Sequence, residues 1–205
     1  MYQPVGKMKA SDTYMINKKL QIIEISAKLI HSQGYEKTSI QDILQAAQIG
    51  KGQFYYYFDS KQDLGIAVVD YCFEKWNQRV IKDILESEAD PKAKIEKMLA
   101  CAIDVHTKNG SKCGCFFGNL AVELSEHNEI FREKTNKVFE SWINHLEVVL
   151  DELMRQETLP LSCDSHTLAQ SIVAMLEGGI MLMKNRQDIA ALITVSNVVK
   201  KMVCI

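Results

Sequence analysis

Residues 38–61 read TSIQDILQAAQIGKGQFYYYFDSK, and the way this stretch divides decides the fold. Thr38 and Ser39 are helix-capping types, and Ile40, Ile43, Leu44 and Ala47 follow at offsets 0, 3, 4 and 7, one face of a helix. After a break at Gln48–Gly50, a short helix is expected over Lys51–Tyr57, and Asp59 and Ser60 cap the next, from Lys61 to about Glu86. Two short helices joined by a brief break form a helix-turn-helix, whose second helix enters the major groove of DNA. Ile40, Ile43, Ala47, Ile49, Phe54 and Phe58 have the spacing to anchor the pair from behind. Lys51, Gln53, Tyr55, Tyr56 and Tyr57 are left for the outer face. An ammonium neutralises phosphate or reaches guanine, an amide pairs with adenine, and phenols bond phosphate oxygens. Gly52 removes a side chain where backbone must approach the duplex. Thr38 and Lys61 begin flanking helices, where hydroxyl, ammonium and the positive end of the helix dipole suit phosphates.

Outward from this stretch the whole chain reads as helix. Ile22, Ile25, Ser26, Leu29 and Ile30 make one face before Gly34 stops the helix that begins near Asn17. Residues 1–16 lack periodicity and are expected to form a flexible arm, followed by a DNA-binding domain over 17–64 and a helical body over 65–205. Further helices are expected from Pro91 to about Lys108, Cys115 to Ser125, Asn128 to Arg155, and roughly 165–184 and 188–203, with a loop marked by Pro160 and Asp164. There is no strand-like alternation and no internal repeat. The fold class is all-α.

Charge fits this division. The net charge of −2 hides a head of +3 over residues 1–61 and a body of −5. A basic head on an acidic body suits a protein that presents one end to a polyanion. No secretory h-region is visible in residues 1–15, and no run reaches the roughly 18 apolar residues that cross a bilayer. A cytoplasmic protein without membrane contact is expected. Cys72, Cys101, Cys113, Cys115, Cys163 and Cys204 are then not a disulfide framework.

The run Gly34-Tyr35, Thr38-Ser39-Ile40, Asp42-Ile43, Ala46-Ala47 and Lys51-Gly52-Gln53-Phe54-Tyr55-Tyr56-Tyr57-Phe58-Asp59-Ser60-Lys61, with Leu64, resembles the tetracycline-repressor (TetR) family of transcription regulators. The resemblance spans about residues 18–66. It departs at Gln48, where the family often has glycine, and at Gly50, where it has a Ser or Thr cap. It implies Lys51 and Gln53 on bases, Tyr55, Tyr57, Thr38 and Lys61 on phosphates, and Gln41 on a base edge, with Ser39, Gly52 and Tyr56 alongside. It further implies a homodimer on near-palindromic operator DNA, and repression relieved by a small-molecule inducer.

In the body, Leu168, Ile172, Met175, Leu176, Gly179, Ile180 and Met183 form one broad stripe, and the last helix is apolar on nearly every side. By the resemblance these two helices pair across a two-fold axis. The dimer interface is therefore assigned to Leu168, Ile172, Met175, Gly179, Met183, Leu192, Val195 and Val199, burial within one subunit being the alternative. An inducer pocket among Met98, Phe117, Asn119, Glu123, Trp142 and Met175 is implied by the family alone. Cys115 at a helix start, with Lys112 nearby, has the setting that lowers a thiol pKa. A redox or electrophile trigger at Cys115, with Cys113, is the alternative function. A Cys-x-Cys pair with His106 or His127 lacks zinc-finger spacing, and no metal or cofactor is expected. No catalytic motif is present, so no enzyme is expected; a thiol enzyme using Cys115 and a helical adaptor are the rival classes.

Overall fold

The computed structural model describes residues 10–156 and 163–205, all helix and connecting turns with no strand among them. The helices are α1 (Ala10–Gln33), α2 (Ile40–Ala47), α3 (Lys51–Tyr57), α4 (Lys61–Trp76), a π-helical stretch (Asn77–Leu85), α5 (Pro91–Lys108), α6 (Phe116–Leu124), α7 (Glu129–Gln156), α8 (Ser165–Arg186) and α9 (Ala190–Met202). Residues 1–9 of the expected arm, and Pro160, lie outside the described residues. Residues 10–16 extend α1 toward the N-terminus beyond the expected start at Asn17.

Local chemistry sets the boundaries. The Ser39 hydroxyl accepts the Asp42 N–H at 3.1 Å while the Ser39 N–H donates to Asp42 Oδ2 at 2.8 Å, a reciprocal cap on α2. Hydrogen bonds from Ser39 hold the Asp42 carboxyl below the usual carboxylate range. Ser60 Oγ accepts the Asp63 N–H at 3.0 Å to start α4, and Asp90 with Pro91 starts α5. Asp164 caps α8 through the Thr167 N–H at 2.8 Å.

The turn between α2 and α3 explains one departure from the family pattern. Gln48 sits at φ 52°, ψ 52°, the left-handed region that glycine enters without a Cβ clash. Gln48→Gly is expected to stabilise the first unit by roughly 0.5–1 kcal/mol, the relief of that clash less the added freedom of the unfolded chain. A rise in its denaturation midpoint in urea checks this; no rise would mean the Gln48 side chain has an offsetting role.

The chain divides into two compact units between Tyr71 and Cys72, later than the expected boundary near residue 64 and within α4. In the first unit, Ile22, Ile23, Ile30, Ile43, Leu44, Ala47, Phe54, Phe58, Leu64, Val68 and Val69 are buried together. In the second, α8 packs on α7 and on α9, α6 packs on α7, and a single core runs from Val80 to Val203. After Trp76 the expected α-helical pattern gives way to π geometry, with the Glu86 N–H bonded to Ile81 O five residues back at 2.8 Å. The wider turn puts Val80, Ile81 and Leu85 in the core together.

Candidate nucleic-acid interface and the helical body

α3 has two opposed faces. Phe54 and Phe58 are 0% and 1% exposed, their ring centroids 5.8 Å apart. Lys51, Gly52, Tyr55 and Tyr56 are exposed, Tyr56 by 62%, while Gln53 and Tyr57 are half-buried. Tyr55 stands edge-on to Phe54 at 5.2 Å and Tyr56 edge-on to Tyr57 at 4.9 Å, so the phenols stand on a rigid aromatic base. A Cβ added at Gly52 would meet no heavy atom within 4 Å, so the space there is open for an approaching backbone. Gln41 is exposed on α2. The polar groups assigned to DNA on α3 thus share one helix, with the apolar pair behind them.

Lys61 has a defined posture. Its Nζ donates to Glu36 O at 3.1 Å and stands 4.4 Å above the ring of Tyr35. Burial, with the Glu36 charge nearby, raises the Tyr35 phenol to about 12, so that ring stays neutral below the ammonium. These contacts leave the partly exposed ammonium in a fixed place. Nothing in the sequence pattern announced the Glu36 carbonyl.

Thr38 corrects the expectation. It is 0% exposed, and its hydroxyl donates to Gly34 O at 2.6 Å and accepts from Gln33 Nε2 at 3.2 Å. With both capacities used internally it closes the turn after α1 and does not face phosphate. Ser39 is exposed, but its hydroxyl donates to Asp42 Oδ2 at 2.7 Å.

Most of the residues assigned to a dimer interface are covered within the subunit. Leu168, Ile172, Gly179, Met183, Leu192 and Val199 are buried within the single chain, and Met175 and Val195 are half-buried. A Cβ at Gly179 would lie 3.0 Å from Val195 Cγ2, so this glycine serves the close approach of α8 to α9 inside one subunit. Helical spacing identifies an apolar stripe but not which neighbour covers it. The large uncovered apolar side chains of these helices are Met181, Leu182, Ile193 and Val198, with Gly178 open beside them.

Of the expected pocket residues, Met98, Phe117 and Trp142 are buried. The Trp142 indole N–H donates to Met98 Sδ at 3.2 Å, and Trp76 stands edge-on to Phe117 at 6.4 Å and to Trp142 at 5.7 Å. Met175 is half-buried against the same core. Asn119 is committed to structure: its Nδ2 donates to Cys113 O at 2.7 Å and its Oδ1 accepts from Lys184 Nζ at 2.9 Å. Glu123 is half-buried one turn beyond it. Trp76 was not singled out by the sequence, though an aromatic at the end of α4 is a visible signal.

The thiol argument reverses. Cys115 caps α6, its Sγ accepting the Gly118 N–H at 3.4 Å, yet burial and then the charge of Glu177 push its thiol well up, not down. Lys112 is exposed, and the charge that adds to burial in raising the thiol is that of the Glu177 carboxyl. An uncharged thiol is a poor trigger or catalytic nucleophile. Among the described residues no three His, Cys, Asp or Glu side chains gather as metal ligands, and no helix is long and apolar enough to cross a membrane.

Comparison with known proteins agrees with this geometry. Residues 22–68 match the family model for bacterial regulatory proteins of the tetR family, and residues 91–198 match that for the C-terminal domain of LmrA/YxaF-like transcriptional regulators. An HTH-type transcriptional regulator from the lacX 3' region of Lactococcus lactis subsp. lactis is 35% identical over 176 residues, covering 86% of this chain and 88% of that protein. The HTH-type transcriptional repressor DhaR of Mycobacterium sp. (strain GP1) is 27% identical over 177 residues, 85% of this chain and 87% of its own. In fold, the crystal structure of the regulatory protein TetR from Rhodobacter sphaeroides superposes with a TM-score of 0.82 at 23% identity, covering 89% of this chain and 97% of that one. With a helix of two opposed faces within residues 22–68 and matching models over both units, the chain belongs to the TetR family of DNA-binding transcriptional regulators.

Proposed function

We propose that the protein is a cytoplasmic, dimeric repressor, and not an enzyme, that leaves near-palindromic operator DNA when a small molecule binds its second unit. The observation that carries the reading is the division of α3 into a buried Phe54–Phe58 side and a side displaying Lys51, Gly52, Tyr55 and Tyr56. In this reading Lys51 and Gln53 face base edges in the major groove, with Gln41 reaching an edge from α2. Tyr55, Tyr56, Tyr57 and the ammonium of Lys61 meet phosphates. The sign of regulation follows the relative named a repressor. The dimer face is reassigned to Met181, Leu182, Ile193 and Val198, the apolar side chains of α8 and α9 that one subunit leaves uncovered.

Selection of operators from a random duplex pool tests the reading and is expected to return an inverted repeat. On the selected site, Gln53→Ala is expected to cost on the order of 1–3 kcal/mol and to relax one base position. Lys61→Ala is expected to weaken all duplexes alike and to flatten the salt dependence by about one unit of slope. Equal loss on operator and random DNA for Gln53→Ala would remove Gln53 from base reading. A protein indifferent to every duplex at low salt would end the proposal.

A further inference from the structure

Lys19 lies in the first half of α1 and has no part in the DNA contacts assigned so far. Its ammonium stands 5.2 Å over the ring of Phe58, the residue that closes α3. That ring is fixed in the core of the first unit, 1% exposed and packed on Phe54, and the lysine stem lies across it. Lys61 is placed in the same way, its ammonium 4.4 Å over the buried ring of Tyr35. The first unit therefore seats two ammoniums on buried aromatic rings, one drawn from α1 and one from the start of α4.

A ring face attracts a cation and narrows the conformations of a long, flexible stem. It does not neutralise the charge as a carboxylate would. Among the described residues Lys19 has no carboxylate partner. In the turn after Phe58, Asp63 Oδ2 is already taken by the Asp59 N–H at 3.1 Å. Lys19 is thus an exposed, uncompensated charge with a defined posture. Lys18, its neighbour in sequence, differs: it is half-buried and spends its ammonium on Gln21 Oε1 at 3.0 Å. Consecutive residues point about 100° apart around a helix, so the two lysines face different ways.

Position decides what the seated charge can meet. Phe58 directly follows Tyr55, Tyr56 and Tyr57 and precedes the turn into Lys61. A cation over its ring stands at the end of α3 where the phenols and Lys61 are read as meeting phosphates. A cation held in place before binding loses less freedom when it meets a phosphate.

We propose that Lys19 is a further backbone contact, an ammonium seated on Phe58 that neutralises one phosphate of the operator. This rests on the reading of α3 in the major groove, and it adds α1 to the elements that face DNA.

The test measures affinity of the full-length protein for the selected operator and for random duplex between 50 and 200 mM salt. Removing one phosphate contact flattens the plot of log affinity against log salt by about 0.9. Lys19→Gln is therefore expected to weaken both duplexes alike, and its deficit against the native protein to shrink by roughly 3.5-fold across that fourfold change in salt. Lys19→Arg keeps a cation that can sit on the ring and is expected to retain the native slope. Lys18→Gln removes the same unit of charge one residue away and is expected to leave the slope unchanged. Circular dichroism is expected to show all three folded as the native chain, since the side chains lie at the surface of α1. A native slope in Lys19→Gln, an equal flattening in Lys18→Gln, or a slope in Lys19→Arg as flat as in Lys19→Gln would each overturn the contact. The two readings fail separately: if Lys61→Ala flattens the slope and Lys19→Gln does not, Lys19 alone is removed, whereas indifference to every duplex removes both.

Discussion

A chain carrying Leu182→Glu and Val198→Glu is expected to run as a folded monomer and to lose operator affinity by roughly 10²–10⁴-fold, the advantage that linking two binding heads confers. Both side chains are exposed in the single subunit, Val198 by 43%, so charge there should leave the subunit's own stability nearly unchanged. In a two-fold contact each carboxylate appears twice, buried among Met181, Ile193 and their symmetry mates without a counter-charge. Analytical ultracentrifugation with circular dichroism separates the outcomes. Glutamate at Leu168 or Ile172 provides the contrast: these lie in the subunit's own core, so the expected result is loss of helix, not clean dissociation. A double variant that stays dimeric with full operator affinity would place the interface on another face.

Phe54→Ala carries the other large effect. The ring is fully buried between α3 and the rest of the first unit, in contact with Phe58. Removing it costs about 3–5 kcal/mol by lost burial and the cavity left behind. A unit that ends at Tyr71 has little stability in reserve, because small domains bury a smaller fraction of their surface. The first unit should therefore melt well below the helical body, with operator binding gone at temperatures where the body keeps its helix. Hydrogen exchange resolved by segment measures both. Unchanged protection across α1–α4 with DNA binding lost would show that Phe54 touches DNA and does not anchor the helix.

Residues 38–61 were legible because their information is local. Capping side chains, the 0, 3, 4, 7 spacing and a short aromatic-rich helix each act over one or two turns, and the structure returns α2 and α3 with the read boundaries. The same locality fixed α5 at Pro91–Lys108 and the two faces of α3. Even the departure at Gln48 was visible, as a residue in the place of a glycine, before its left-handed backbone gave the reason.

What only the tertiary structure decided is which group meets which across the chain. Thr38 looked like a free cap and became internal because Gln33 and Gly34 fold back onto it. The stripe on α8 was real, but α7 and α9 of the same subunit cover it, leaving Met181, Leu182, Ile193 and Val198 outside. A single continuous helix after Lys61 was the local reading, and core packing of Val80, Ile81 and Leu85 comes with a π turn instead. Cys115 is the sharpest case: its helix end and Lys112 argued for a lowered pKa, and burial, followed by the charge of Glu177 sixty-two residues away in sequence, raises it. Sequence spacing reports the faces of a helix. Burial and electrostatics depend on distances between helices, which only the folded chain sets.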